Sequence, residues 1–181
     1  MSDKASFRLS TKNKVLTALP SAEYDFLHSH FEKIHLSPGK LVYQAGDAIP
    51  YIFFPDNGMI SLLSVTEQGQ AVEVGFTGFE GLVGLPLLLG RNEIPYQALT
   101  QAPTDALRVE SKFAVQLFNR CGAFHKVVLQ YFHVVLKQLS QTCLCNHFHR
   151  IEARMCRWLT VMSERSGNKH LVLTQEFLAH M

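Results

Sequence analysis

Apolar positions follow three different rhythms along the 181 residues. Over residues 11–31, Leu16, Leu19, Ala22, Tyr24, Phe26, Leu27 and Phe31 recur at helical spacing, interrupted by Pro20 with Ser21 as a fresh N-cap. The pattern predicts two short helices. From 32 to 110 the period shortens. Turn-forming clusters such as Ser37-Pro38-Gly39, Ala45-Gly46-Asp47, Asn57-Gly58 and Gly90-Arg91-Asn92 punctuate the chain every eight to twelve residues. Between them lie β-rich runs at 40–43, 51–54, 59–66, 71–76, 96–101 and 106–110. Many short strands at that spacing predict an antiparallel sandwich, barrel or jelly roll.

The third rhythm begins at Ser111. A short helix is predicted over 111–119, and Cys121-Gly122 punctuates. Residues 123–164 then run without a Pro or Gly. As one helix they would span about 60 Å. Val128, Phe132, Val135, Leu139, Thr142, Asn146 and His149 alternate in steps of four and three, an a/d-like seam that meets a second copy of itself in a homodimer. That favours a continuous dimerisation helix; the other reading is a break near Asn146 with the chain folding back. The expected organisation is α+β: 1–120 as helices and a β-roll, 121–166 as the long helix, and 167–181 as the start of a further domain. In that last stretch Leu171-Val172-Leu173 reads as a strand. Thr174 then caps a new helix whose apolar stripe begins with Phe177, Leu178 and Met181. The further domain is expected to be truncated within this chain.

Composition narrows the class. No apolar run reaches the roughly 18 residues of a membrane span, and the N-terminus lacks a signal-peptide core, so a cytoplasmic location and no membrane partner are expected. All four cysteines fall at or after residue 121, which does not form a disulfide framework. Residues 1–120 carry 10 Lys/Arg against 12 Asp/Glu, and residues 121–165 carry six against two. The back of the chain is the more basic, but too weakly to argue nucleic-acid binding on its own.

No Gly-x-Ser-x-Gly, P-loop or His-Glu-x-x-His is present, and residues 36–122 contain no histidine to ligate a metal inside a jelly roll. The chain is not expected to be an enzyme. Cys143, Cys145, His147 and His149 are four candidate ligands in seven residues, paired i, i+4 on two helix faces. Cysteine packs well in helix seams, so no metal and no cofactor are expected. His28, His30 and His35 are read as surface residues rather than haem ligands.

The order of elements resembles the Crp/Fnr family of bacterial transcription regulators. Gly39-Lys40 and Gly46-Asp47 are similar to its first β-roll turns. Tyr51-Ile52-Phe53-Phe54 and Gly58-Met59-Ile60-Ser61-Leu62 are similar to the next strands. The segment 151–159 resembles the link to the DNA-binding domain, and 173–181 resembles the first helix of a winged helix-turn-helix. The resemblance implies a cyclic-nucleotide-binding-like effector domain, a homodimer, a small-molecule effector, DNA as a target and RNA polymerase as a further partner. DNA would be held by a recognition helix beyond Thr174 and Gln175, absent from this chain.

The resemblance also implies a pocket at Gly84, Leu85, Pro86, Pro95, Tyr96 and Gln97, closed by Leu139 and Ser140 from the central helix. In cyclic-nucleotide binders of the family a Glu holds the ribose and an Arg pairs with the phosphate. Here those positions hold Leu85 and Pro95, and Tyr96 stands at the following Ser/Thr position. An anion without its guanidinium in a low-dielectric pocket costs several kcal/mol. The expectation is a regulator that does not respond to a cyclic nucleotide in the usual way, its pocket filled by its own side chains or by an apolar ligand. The alternative is a cyclic-nucleotide module with another anchor, such as Arg91.

Overall fold

The computed structural model describes residues 11–166. The strand Leu171-Val172-Leu173, the helix start at Thr174 and Gln175, and the whole 167–181 segment lie outside the described residues.

Two short helices open the described residues, α1 (Lys14–Thr17) and α2 (Ser21–His28), separated at Pro20. Asn13 caps α1, its side-chain oxygen accepting from the Val15 and Leu16 amides. Seven strands follow: β1 (Glu32–Leu36), β2 (Leu41–Tyr43), β3 (Tyr51–Pro55), β4 (Ile60–Val65), β5 (Ala71–Thr77), β6 (Gln97–Thr100) and β7 (Thr104–Glu110). They form two antiparallel sheets, ordered β1-β7-β3 and β2-β6-β4-β5. A short α3 (Leu85–Leu88) interrupts the strands between β5 and β6. The six expected strands are present, most within a residue or two of their expected ends. β1 was not expected. It is an edge strand in which only Ile34 and Leu36 are apolar, so its alternation is faint.

Inward residues of both sheets share one core with the helices. Phe54, Ile52, Ile60, Leu107, Leu27, Leu16 and Phe124 are all essentially inaccessible. The helix α4 (Ser111–Phe118) joins that core through Ala114 and Leu117. Full burial of each large side chain contributes about 1.5–3 kcal/mol, which is what holds the short elements in place.

The C-terminal part departs from one expectation. The predicted continuous helix is two helices, α5 (Ala123–Phe148) and α6 (Ile151–Ser166). His149, at φ −105° and ψ 143°, has extended backbone. No Pro or Gly causes this break; tertiary packing does. α6 turns its apolar side onto the β-roll, where Trp158 and Met162 bury against Met59 and Phe76. The expected seam residues are divided between core and surface. Val128 is fully buried in its own chain's core, and Phe132 and Val135 pack against that core, so these three serve intramolecular packing. Thr142 is half-buried, while Asn146 and the non-helical His149 are exposed. The apolar side chains that α5 leaves exposed are instead Leu129, Val134, Leu136, Leu144 and Phe148.

Candidate functional site

The segment between β5 and α3 is shaped by two glycines. A β-carbon at Gly81 would stand 2.1 Å from the Tyr131 ring, so α5 seats that ring directly on the backbone here. The Tyr131 hydroxyl bonds Thr77 Oγ1 at 2.9 Å, and burial pushes its pKa up. Gly84, the N-cap of α3, has φ +105°, and a β-carbon would meet Ile52 Cδ1 at 2.6 Å. Between them Val83 pairs with Phe53 through both backbone bonds, at 3.0 and 2.9 Å. The turn is therefore fixed before any ligand arrives.

Leu85 follows Gly84 and is buried in the core, with Leu88 one turn on. Pro86 and Pro95 face one cleft of about 540 Å³, whose other walls include Gly46, Gly90, Arg91 and Glu93. Arg91 and Glu93 are both exposed, so the cleft carries one charge of each sign. Tyr96 is half-buried, and burial raises its hydroxyl pKa; Gln97 opens β6. Leu139 lies apart from this cleft. Its Cδ2 is 3.8 Å from where a β-carbon of Gly75 would stand, on β5. Ser140 is exposed and donates to Leu136 O at 2.9 Å in its own helix. The structure thus joins Pro86 with Pro95, and leaves Leu139 and Ser140 outside the cleft.

A polar cluster that the residue pattern did not single out lies where α6 meets β5. Glu73 accepts from Ser61 Oγ and, at 2.9 Å, from Trp158 Nε1. Burial pushes its carboxyl up to about 7, against the lowering effect of those two hydrogen bonds and of Arg157 and Arg165. Further along α6, Arg165 pairs with Glu80 at 2.6 Å, both side chains largely buried. Arg165 also donates to Phe76 O at 3.2 Å and to Gln138 Oε1 at 3.4 Å. Burial along β5 runs against residue type here, with Val72 exposed and the neighbouring Glu73 turned inward, and the residues alone carry no signal of it.

The cysteine and histidine run is divided. Cys143 is exposed and Cys145 buried, accepting from Gln141 Nε2 at 3.2 Å. His149 is the C-cap of α5, its amide still bonding Cys145 O at 3.0 Å while its backbone turns extended, and its side chain is exposed where Cys145 is buried. Among the described residues no helix is long and apolar enough to cross a membrane.

The sequence profile of the cyclic nucleotide-binding domain family matches residues 33–121. No curated protein sequence matches the chain. Solved structures with the same fold include the c-di-GMP-responsive global regulator CLP of Xanthomonas campestris, at TM-score 0.72 and 14% identity over 90% of this chain and 84% of that one. A protein assigned to the Crp/Fnr family of transcriptional regulators, from Eubacterium rectale, has TM-score 0.76 and 9% identity over 93% and 79%. The catabolite activator protein of Thermus thermophilus has TM-score 0.58 and 17% identity over 86% and 80%.

Proposed function

We propose, from the premise that residues 33–121 belong to the cyclic nucleotide-binding domain family and share the fold of Crp/Fnr regulators, that this chain is the effector-sensing and dimerisation part of such a regulator. Its role is binding and signalling, not catalysis, in the cytoplasm. DNA would be contacted by a separate helix-turn-helix domain, with RNA polymerase as a further partner. α5 supports the homodimer: it leaves Leu129, 43% exposed, and Leu136, 46% exposed, seven residues apart on one side. Two copies would bury that stripe against each other.

One observation carries the reading of the effector. At the two family positions that hold ribose and phosphate, this chain has a core leucine, Leu85, and an exposed proline, Pro95. Neither supplies an acceptor or a cation, and a cyclic phosphate buried there would lack its partner. The usual cyclic-nucleotide response is therefore absent, and the effector is an apolar or otherwise different small molecule. The fold accommodates other effectors, as the Xanthomonas regulator's c-di-GMP response illustrates.

A second reading rests on Arg91, which lines the cleft together with Pro86 and Pro95 and could face a phosphate. Calorimetric titration with cyclic AMP and cyclic GMP separates the two. No saturable heat at millimolar nucleotide is expected. Micromolar binding that disappears in Arg91→Ala would establish the second reading instead.

A further inference from the structure

α6 is fastened to the β-roll at two points. Near its middle, Trp158 and Met162 bury with Met59 and Phe76, and the indole donates to Glu73 Oε1. At its far end, Arg165 pairs with Glu80 and lays its guanidinium over the Phe76 ring, 4.5 Å from the centroid. The first point contains a group that can exist in two charge states without losing a hydrogen bond. The indole N–H is a donor only and can serve a carboxylate or, more weakly, the carbonyl oxygen of a carboxylic acid. The Ser61 hydroxyl can rotate from donating to Glu73 Oε2 to accepting from it. Protonating Glu73 therefore breaks neither contact and removes a charge from a poorly solvated site.

The charged and titratable groups around Glu73 are few. From α6 come Arg157 and Arg165, with Arg154 at the rim of a space of about 30 Å³ beside Trp158. From α5 comes the Cys145 thiol, and from β4 only the neutral Ser61. The arginines favour the carboxylate and burial favours the acid; burial is the larger effect.

We propose that Glu73 is a proton-operated clasp for α6, which holds the helix on the β-roll when neutral and loosens it when ionised. The direction follows from linkage. Freed of α6, Glu73 would stand in water near its ordinary 4.5; docked, it is pushed up to about 7. The docked state binds the proton more tightly. Its extra stabilisation is therefore complete below about 4.5, declines as pH rises, and is lost as pH passes through about 7. The direction in which the chain leaves the effector domain would then respond to pH near neutrality. The α6 contacts and the burial of Glu73 are independent of whichever effector the cleft takes.

Trp158 is the chain's only tryptophan, so acrylamide quenching of its fluorescence reads the clasp directly. In the wild type the quenching constant should at least double between pH 6 and 8.5, with a midpoint near 7 and no change in far-UV circular dichroism. Glu73→Gln keeps a neutral acceptor for the indole and should remain weakly quenched at every pH. A flat wild-type profile would overturn the proposal. So would a Glu73→Gln profile that titrates like the wild type, or circular dichroism that changes in step with the quenching.

Discussion

Asn13 is fully buried and its side chain makes four hydrogen bonds: its oxygen accepts two from the start of α1, and its amide donates two, to Pro55 O at 2.9 Å and Gly81 O at 2.7 Å. One side chain thereby joins the first helix, the end of β3 and the turn beneath Tyr131. Asn13→Ala removes the cap and leaves two carbonyls short of a donor. It should cost about 2–4 kcal/mol in urea denaturation. Gly81→Ala should also be destabilising, because the new methyl would meet a ring that is itself buried and hydrogen-bonded. Overpacking of this kind costs about 1–3 kcal/mol or more, and Tyr131→Phe in the same background should not restore it, since the clash is with the ring. The residue scale is also where the candidate site was least legible. A capping asparagine before an apolar turn can be read from a sequence; an inward glutamate in β5 cannot, because its partners Ser61 and Trp158 lie 12 and 85 residues away.

Among elements, α5 begins with a cap supplied from elsewhere. Gly122 offers no side chain, and the Glu23 carboxylate of α2 accepts instead from the Ala123 and Phe124 amides, at 2.8 and 2.6 Å. Anions are favoured at such a helix start. The strands were legible because turn chemistry separates them, whereas β1 was hidden by its two polar leading residues, Glu32 and Lys33. The break before α6 left no mark in the sequence, since neither His149 nor Arg150 is a helix breaker; it follows from where Trp158 and Met162 find cover. That cover can be removed selectively. Trp158→Ala should weaken α6 docking by about 3–5 kcal/mol, and Trp158→Phe by far less. Limited trypsin digestion checks this: cleavage at Arg150 and Arg154 should accelerate in the alanine variant while the β-roll fragment persists intact.

For the molecule as a whole, the helical period of α5 was readable but its inward side was not. The four-three spacing exists on more than one stripe, and only the packed β-roll decides that Val128 faces inward and Leu129 outward. If α5 meets a second copy through the outward stripe, a charge placed there enters the interface twice by symmetry. Leu136→Glu should then weaken dimerisation by about 10³-fold, taking each copy's loss as about 2 kcal/mol. Sedimentation velocity should show a dimer for the wild type and a monomer with unchanged circular dichroism for the variant. The cleft between Pro86 and Pro95, proposed above to take the effector, belongs to this scale too. Its location is carried by the family resemblance, and its lack of the usual charged anchors by two residues, Leu85 and Pro95.

The break at His149 and Arg150 also makes α6 a lever. Sixteen residues reach about 24 Å at 1.5 Å each, so a turn of about 10° at the break carries the far tip by about 4 Å. A continuous rod could deliver such a displacement only by bending. Here rotation about a few backbone bonds is enough, opposed by two local grips: the small apolar cluster around Trp158 and Met162, and the Arg165–Glu80 pair. Small changes in the β-roll would thus be magnified with distance, and the gain is set by a length of chain and not by the chemistry of any effector.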